Sequence, residues 1–194
     1  MSRIFFNQHA HNWDSTRSEQ NTSRLRQMAG RLPLSPGATL LDVGSGTGVF
    51  LPLLLSKIGE SGTVVALDYA EEMLRIARRK YPDGQFHYLQ GSATDIPIRN
   101  EIFDAVICYS CFPHFKNKPK ALGEMHRVIK DGGRLYICHT QSRGEINHLH
   151  HNIPGVQHDM IPEEGKLKLL LAQAGFSNII IDDAANNYLV SARK

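Results

Sequence analysis

The sequence lacks any apolar run near the roughly 20 residues that a membrane-spanning helix needs. Its polar N-terminus also lacks the hydrophobic stretch of a signal peptide. Three cysteines, Cys108, Cys111 and Cys138, are odd in number and fall in or beside predicted strands, which favours free thiols over disulfides. Neither sign of charge dominates, since 22 Lys and Arg accompany 19 Asp and Glu. We therefore expect a cytoplasmic protein whose partner is neither a nucleic acid nor a membrane, present as a monomer or homodimer.

The 194 residues, 41% of them hydrophobic, are enough for one domain with a full core. No internal repeat or long linker divides the chain. We expect a single domain over residues 1–194, with an N-terminal helical cap at 1–34, a core at 35–142 and a C-terminal segment at 143–194. Two helices are predicted within residues 5–31.

From residue 39 onward, apolar runs alternate with amphipathic segments. The predicted strands are 39–43, 63–68, about 85–90, 103–110, 134–140, 177–182 and 188–192, and the predicted helices between them are 47–58, 70–80, about 118–129 and 162–174. Continuous apolar strands separated by helices indicate a parallel sheet covered on both faces. The last two strands are joined too closely for a helical crossover and should be antiparallel. The sequence thus predicts an α/β, Rossmann-like, seven-stranded, mostly parallel sheet with an antiparallel last strand, helices on both faces and an N-terminal helical extension.

A glycine motif follows the first predicted strand. Asp42 ends the apolar part of that strand, and Gly44, Gly46 and Gly48 come directly after it. Glycines without a Cβ let a ligand approach the main chain, although G-x-G-x-G alone is a weak signal. Asp68 ends the second strand about 20 residues later, where a carboxylate can accept both hydroxyls of a ribose. Capping of the following helix is an alternative role for Asp68, and the two roles can coexist.

Five ordered stretches carry a resemblance to a known family. They are Leu41 to Gly48, Ala66 to Leu74, Gly91 to Pro97, Phe103 to Val106, and Ala121 to Leu135. Over about residues 35–142 the chain resembles the class I S-adenosylmethionine-dependent methyltransferases, and within them the group similar to the ubiquinone/menaquinone-biosynthesis methyltransferases. The resemblance implies S-adenosyl-L-methionine as methyl donor and S-adenosyl-L-homocysteine as product. It makes residues 35–142 the cofactor-binding core and 143–194 the acceptor side.

The cofactor-binding set implied by the resemblance is Asp42, Gly44, Ser45, Gly46, Gly48, Asp68, Tyr69, Met73, Ser92, Ala93, Asp95 and Tyr109. In it, Asp42 holds the amino group of the methionine portion, Asp68 the ribose, and Asp95 the exocyclic amine of the adenine. Three carboxylates suit a ligand with a sulfonium and an ammonium, whereas a pyrophosphate ligand favours positive charge. Val49 also stands where a dinucleotide motif has its third glycine.

The methyl acceptor is expected beyond the fourth and fifth strands, because ligands of open α/β sheets bind at the carboxyl ends of the strands. His114 and His139 follow or end these strands and are the predicted catalytic residues, since an imidazole can act as a base near neutral pH. The alternative is that each histidine only lines or gates the pocket.

The segment from His139 to His158 contains five histidines, the other three being His148, His150 and His151. If residues 142–152 are helical, His148 and His151 share a face. This segment is interpreted as a polar lid over the acceptor, as a solvated face, or as a metal site that could recruit Cys111 or Cys138. The same cysteines could favour a soft acceptor or could only pack.

Phe5, Phe6 and Trp13 lie in the N-terminal segment and either cover the cofactor or anchor the helices. Taken together, the residues and the resemblance predict an enzyme that moves a methyl group to a small-molecule acceptor by in-line displacement. The alternatives are a non-catalytic S-adenosylmethionine-binding or regulatory module and a nucleotide-cofactor oxidoreductase. The acceptor atom, carbon, oxygen, nitrogen or sulfur, stays open at this point.

Overall fold

A computed structural model describes residues 3–15, 19–82 and 84–194. Seven strands form one sheet in the order β3-β2-β1-β4-β5-β7-β6. The strands are β1 Thr39–Val43, β2 Thr63–Asp68, β3 Phe86–Gln90, β4 Phe103–Tyr109, β5 Ile129–His139, β6 Ser177–Ala184 and β7 Asn187–Arg193. Strands β1 to β5 pair in parallel, and β7 is antiparallel to both of its neighbours. The predicted sheet, including the antiparallel last strand, is confirmed.

Seven α-helices surround the sheet in the described part of the chain. They are α1 Arg3–His9, α2 Glu19–Gly30, α3 Leu51–Ile58, α4 Glu71–Lys80, α5 Lys118–Val128, α6 Arg143–His151 and α7 Glu164–Gln173. Short 3-10 turns follow α1, at Ala10–Asn12, and β4, at Phe112–His114. The two predicted N-terminal helices are present, but residues 1, 2 and 16–18 of the predicted cap lie outside the described residues.

Alternate side chains of the strands enter two cores, one on each face of the sheet. Leu41 and Val106 pack with residues of α5 and α7, whereas Leu40 and Ile107 pack with residues of α2 and α3. Since apolar side chains leave both faces of these strands, each face needs its own layer of helices. The prediction of helices on both faces is confirmed.

The helix after the glycine motif starts later than the sequence predicts, at Leu51 and not at Thr47. Gly44, Gly46 and Gly48 have φ values of 69°, 56° and 79°. These angles lie in the left-handed region, which a right-handed α-helix excludes. Residues 44–50 therefore form an open turn at the carboxyl end of β1, and α3 starts beyond it.

Helix α6, which the sequence predicts only conditionally, begins with a capping box. The side chain of Ser142 accepts from the amide of Glu145, and Glu145 Oε2 accepts from the amide of Ser142 at 2.8 Å. Reciprocal bonds of this kind satisfy two amides that a helix start leaves without partners. Helix α7 starts at Glu164 and not at Pro162. Across the described residues, none of the helices combines the length and the apolar character needed to cross a bilayer.

Candidate active site

A cavity of about 380 Å³ lies where the carboxyl ends of β1, β2 and β4 meet. This is the place where the strand order reverses, and open α/β sheets bind ligands there. Ten residues predicted for the site line it: Gly44, Ser45, Gly46, Asp68, Tyr69, Met73, Ser92, Ala93, Tyr109 and His114. Four others do not line it: Asp42, Gly48, Asp95 and His139. The fold thus brings most of the predicted site residues to one cavity.

Backbone hydrogen bonds hold the glycine turn against the end of β2. The amides of Gly44 and Ser45 donate to the carbonyl oxygen of Leu67 at 2.7 and 3.1 Å. A Cβ on Gly44 would lie 2.5 Å from Cβ of Cys111, whereas a Cβ on Gly46 would meet nothing within 4 Å. Gly44 is thus required by packing, and Gly46 leaves room at the cavity wall. Gly48 instead faces Leu51 and Ala77 on the helical side.

Asp42 lies directly beneath this turn and is 1% exposed. Neither of its carboxylate oxygens has a hydrogen-bond partner, and the hydroxyl of Ser45 is also buried without one. Burial, with a contribution from the charge of Asp68, raises the pKa of Asp42 to about 8. A buried carboxyl that lacks partners is expensive for a fold to keep, so it marks a place where a ligand can complete the site.

Asp68 is the second buried acid of the site, at 7% exposure. Its Oδ2 accepts from the amide of Gly46 at 2.9 Å and its Oδ1 from the amide of Ala70 at 2.8 Å. Burial raises the pKa of Asp68, and these amides counteract the rise. The carboxylate of Asp68 therefore bonds to the first residue before α4, but Ala70 and not Asp68 is the N-cap of that helix. The carboxylate fastens the glycine turn to the start of α4 while facing the cavity.

The loop after β3 forms the far wall of the cavity. Ser92 and Ala93 line it together with Gly91 and Thr94, which belong to the same resembling stretch but not to the predicted cofactor-binding set. The side chain of Asp95 is exposed and lies outside the wall, while its amide donates to the carbonyl oxygen of Ser92. Contact between Asp95 and the adenine stays a prediction, and the adjoining Thr94 is better placed.

Aromatic side chains of the N-terminal segment cover the same cavity. Phe6 and Trp13 line it and contact each other with ring centroids 5.4 Å apart. Phe6 also contacts Tyr69 and His114, both at 5.8 Å between centroids. A second cavity, of about 800 Å³, adjoins the first and shares Trp13 and Tyr109 with it. The N-terminal helices therefore lie over the site and also reach the core, where Ala10 is buried.

His114 reaches the cavity from the 3-10 turn after β4. Lys118 fastens this turn, because its Nζ donates to the carbonyl oxygens of Pro113 and Phe115 at 2.8 and 3.1 Å. Nδ1 of His114 lies 2.9 Å from Oδ2 of Asp159. Burial lowers the pKa of His114, and the hydrogen bond to Asp159 opposes that effect. The sequence prediction included His114 but missed Asp159.

His139 occupies a different environment from His114. It is 4% exposed, its Nε2 has no hydrogen-bond partner, and it lies beside the ring of Tyr188. Burial, with smaller effects of His114 and His150, lowers its pKa to about 3. An imidazole with so low a pKa is a weak base and is poorly matched to general-base catalysis near neutral pH.

The histidine-rich segment uses a different helix face from the one that the sequence suggests. His148, His151 and His158 are exposed, whereas His150 turns inward and its ring lies 4.9 Å from that of His114. Within the described ranges, no group of three His, Cys, Asp or Glu side chains is arranged to hold a metal ion. The metal interpretation therefore has no geometric support among these residues.

All three cysteines are free and buried. Cys111 lines the cavity, and its Sγ donates to the carbonyl oxygen of Val43 at 2.8 Å. Cys108 lies beside the sulfur of Met125 at 3.6 Å, and Cys138 is fully buried. Burial raises the pKa of the Cys111 thiol well above its ordinary value. This thiol therefore acts as a packed donor that closes the glycine turn, not as a reactive group.

The sheet order and the glycine turn between two buried acids define a Rossmann-like transferase fold of the methyltransferase type. The chain belongs to the methyltransferase domain family, whose model matches residues 41–137. This membership confirms the resemblance to class I S-adenosylmethionine-dependent methyltransferases and implies S-adenosylmethionine as the cofactor. The match begins after α2 and ends before α6, so neither the N-terminal helices nor Asp159 belong to the matched part.

Two curated relatives and one solved structure show the extent of the similarity. The ubiquinone/menaquinone biosynthesis C-methyltransferase UbiE of Vibrio parahaemolyticus is 37% identical over 106 residues, which are 53% of this chain and 41% of the relative. The demethylmenaquinone methyltransferase of Lysinibacillus sphaericus is 34% identical over 116 residues, 59% of this chain and 49% of the relative. The chain therefore spans less than half the length of these relatives. A chain in the complex of the Haloferax volcanii Trm112 methyltransferase activator with a methyltransferase has the same fold, with a TM-score of 0.84, 19% identity, and coverage of 97% of this chain and 96% of that one.

Proposed function

We propose that this protein transfers the methyl group of S-adenosylmethionine to a small-molecule acceptor in the cavity at the carboxyl ends of β1, β2 and β4. The observation that carries the proposal is Asp42, a buried carboxyl without a partner beneath a turn of left-handed glycines. Among the described residues, neither Asp42 nor Asp68 forms an ion pair. Such a site favours a cationic ligand over a phosphate.

The residues that line the cavity, with Asp42 beneath its wall, fit the donor part by part. Asp42 and Ser45, whose buried oxygens lack partners, can hold the ammonium of the methionine portion. Asp68 can accept the ribose hydroxyls, while Met73 and Ala93 offer apolar contact to the adenine. The donor supplies a methyl group on a cationic sulfur, so the protein has mainly to align the acceptor and exclude water.

His114 is the residue that we propose as the base for an acceptor that carries a proton. It lines the same cavity as the glycine turn, whereas His139 does not. The names of the curated relatives refer to C-methylation in ubiquinone and menaquinone biosynthesis and to methylation of demethylmenaquinone. A demethylmenaquinol with a short side chain is therefore the first acceptor to test. Methylation of its ring requires loss of a proton, and His114 would be the base that accepts this proton.

Calorimetric titration with S-adenosylmethionine, S-adenosylhomocysteine and NADH tests the donor. We expect the first two to bind and NADH not to bind. The methyl-transfer step is tested by the formation of S-adenosylhomocysteine with the demethylmenaquinol probe and, separately, with a cell extract as acceptor source. Asp131→Asn is a matched control, because Asp131 is 88% exposed and lies outside the cavity. Tight NADH binding without S-adenosylmethionine binding would refute the proposal, and binding without any turnover would favour a regulatory module.

We also propose that the protein is a cytoplasmic monomer or homodimer formed by one domain, with no nucleic-acid partner. Three unpaired cysteines and the near balance of charges support this setting. Size-exclusion chromatography with light scattering would measure the oligomeric state.

A further inference from the structure

Asp159 lies between α6 and α7 and is absent from the cavity wall, yet its carboxylate contacts a residue of that wall. Its Oδ2 is 2.9 Å from Nδ1 of His114, and the two side chains are 16% and 18% exposed. Burial opposes ionisation of Asp159, but its hydrogen bond with His114 and its other contacts leave the pKa of the carboxyl lowered. An ionised carboxylate can only accept, so the proton of this hydrogen bond resides on Nδ1.

Both partners are held by neighbouring hydrogen bonds. Nδ1 of His150 bonds to the carbonyl oxygen of Asp159. Asn147, one turn earlier in α6, donates to the carbonyl oxygen of Ile161 at 3.0 Å and accepts from its amide at 2.8 Å. Lys118 fastens the turn that carries His114. The carboxylate and the imidazole therefore meet in a fixed geometry.

We propose that Asp159 is a positioning residue that keeps the proton of His114 on Nδ1 and leaves Nε2 to take a proton from the methyl acceptor. The part that concerns the acceptor rests on the proposed methyl transfer. In that reaction the acceptor bonds to the methyl carbon, the sulfur–carbon electron pair stays on sulfur, and the proton of the acceptor passes to Nε2. Asp159 then stabilises the imidazolium without taking the proton itself.

The charges around His114 give the proposal a measurable consequence. Asp159 favours the imidazolium, while burial and the neighbouring His150 disfavour it. Within the part of the chain that the structure describes, the other titratable groups coupled to this cluster include His139, through His114 and His150, and Tyr69 and Lys118, through Asp159. Loss of the carboxylate should therefore lower the pKa of His114 further and weaken it as a base.

The test uses the full chain labelled with ¹⁵N-histidine, without donor or acceptor, in long-range ¹H–¹⁵N correlation spectra recorded against pH. His114→Asn assigns the signals of His114. We expect neutral His114 to carry its proton on Nδ1, and Asp159→Asn to lower its pKa by about one pH unit or more. Glu163→Gln, which removes an exposed acid of the same segment, should change neither property. With the demethylmenaquinol probe, Asp159→Asn should lower kcat about 10- to 100-fold at an unchanged KM for S-adenosylmethionine.

A proton on Nε2 of neutral wild-type His114 would overturn the proposal, and so would an unchanged pKa in Asp159→Asn. If that variant does not fold, the tautomer in the wild-type protein decides by itself. Because the spectra need neither donor nor acceptor, they separate this proposal from the proposed function. Absence of methyl transfer with the expected tautomer would refute the acceptor part, and absence of donor binding would refute the proposed function.

Discussion

Replacement of Asp42 by Asn should weaken donor binding and at the same time stabilise the free protein. Asp42 is buried without partners, and its pKa is raised from 3.8 to about 8. Loss of one partner from a buried charge pair reduces binding by about 2–5 kcal/mol, or roughly 30-fold or more in Kd. S-adenosylhomocysteine has the same ammonium but no sulfonium, so its affinity should fall by a similar factor if Asp42 holds the ammonium.

The effect on stability follows from the sign of the pKa shift. Below pH 3.8 the carboxyl is protonated in both the folded and the unfolded chain. As the pH rises toward about 8, the unfolded chain ionises first, so the folded state loses about 1.4 kcal/mol for each pH unit. At pH 7 the accumulated loss is about 4 kcal/mol. Asparagine does not titrate, so Asp42→Asn should recover much of this loss at pH 7 and little at pH 4.

Chemical unfolding of wild type, Asp42→Asn and the surface control Asp131→Asn at pH 4 and pH 7 measures the effect on stability. Calorimetry of both ligands from pH 6 to pH 8 measures the effect on binding. In the wild type, affinity should rise with pH toward 8, because the ligand favours the ionised carboxylate, and Asp42→Asn should lack that part of the rise. Two results would refute the role given to the Asp42 carboxyl. One is that Asp42→Asn binds both ligands as tightly as the wild type does. The other is that the difference in stability between the two proteins is the same at pH 4 and pH 7.

Three further predictions concern the walls of the cavity. Gly44→Ala should destabilise the protein by about 3 kcal/mol or more in chemical unfolding, because its Cβ would lie 2.5 Å from Cβ of Cys111. Gly46→Ala, which has open space around its Cβ, should lose only about 1–2 kcal/mol of stability. Equal losses in the two variants would contradict the packing role of Gly44. Phe6→Ala should weaken S-adenosylmethionine binding several-fold in calorimetry, because the ring covers the cavity. The variant should lose only about 1 kcal/mol of stability, because the ring is half-buried. Unchanged affinity would show that the N-terminal aromatic side chains only anchor the helices. Cys111 should resist iodoacetamide at pH 8 in the folded protein, because burial raises its thiol pKa, and rapid modification detected by mass spectrometry would revive its role as a reactive thiol.

The parts of the fold that local pattern determines could be predicted from the sequence. Short apolar runs such as 105–109 predicted buried strands, and the short connection before Asn187 required an antiparallel pair. The start of α3 was missed, because the glycines permit both helical and left-handed angles and only the fold selects the latter. The start of β5 was also missed, since β5 extends back to Ile129 through an irregular pairing with Phe103.

The candidate site divides in the same way. Asp68 and the glycines could be found, because strand ends and turn residues have sequence signatures. His150 was recognised only as one member of the histidine-rich segment, and Asp159 could not be found, because nothing local separates it from other loop acids. The importance of Asp159 arises from its contact with His114 across 45 residues, and that of His150 from the approach of its ring to His114, and only the packed chain brings these contacts about. The single available signal was the spacing of Asn147 and His150, which places them on one face of α6.

This division matches the division of labour that we propose for the cavity. Residues 41–137, which the family model covers, supply the glycine turn, both buried acids and the turn that carries His114. The side chains that cover the cavity or orient His114, Phe6 and Asp159 among them, come from segments outside that range. A donor common to many enzymes needs the same cradle in each, whereas acceptors differ and need different walls. The features of this chain that select its acceptor should therefore lie in α1, in α6 and in the connection that contains Asp159, where they can vary without disturbing the donor.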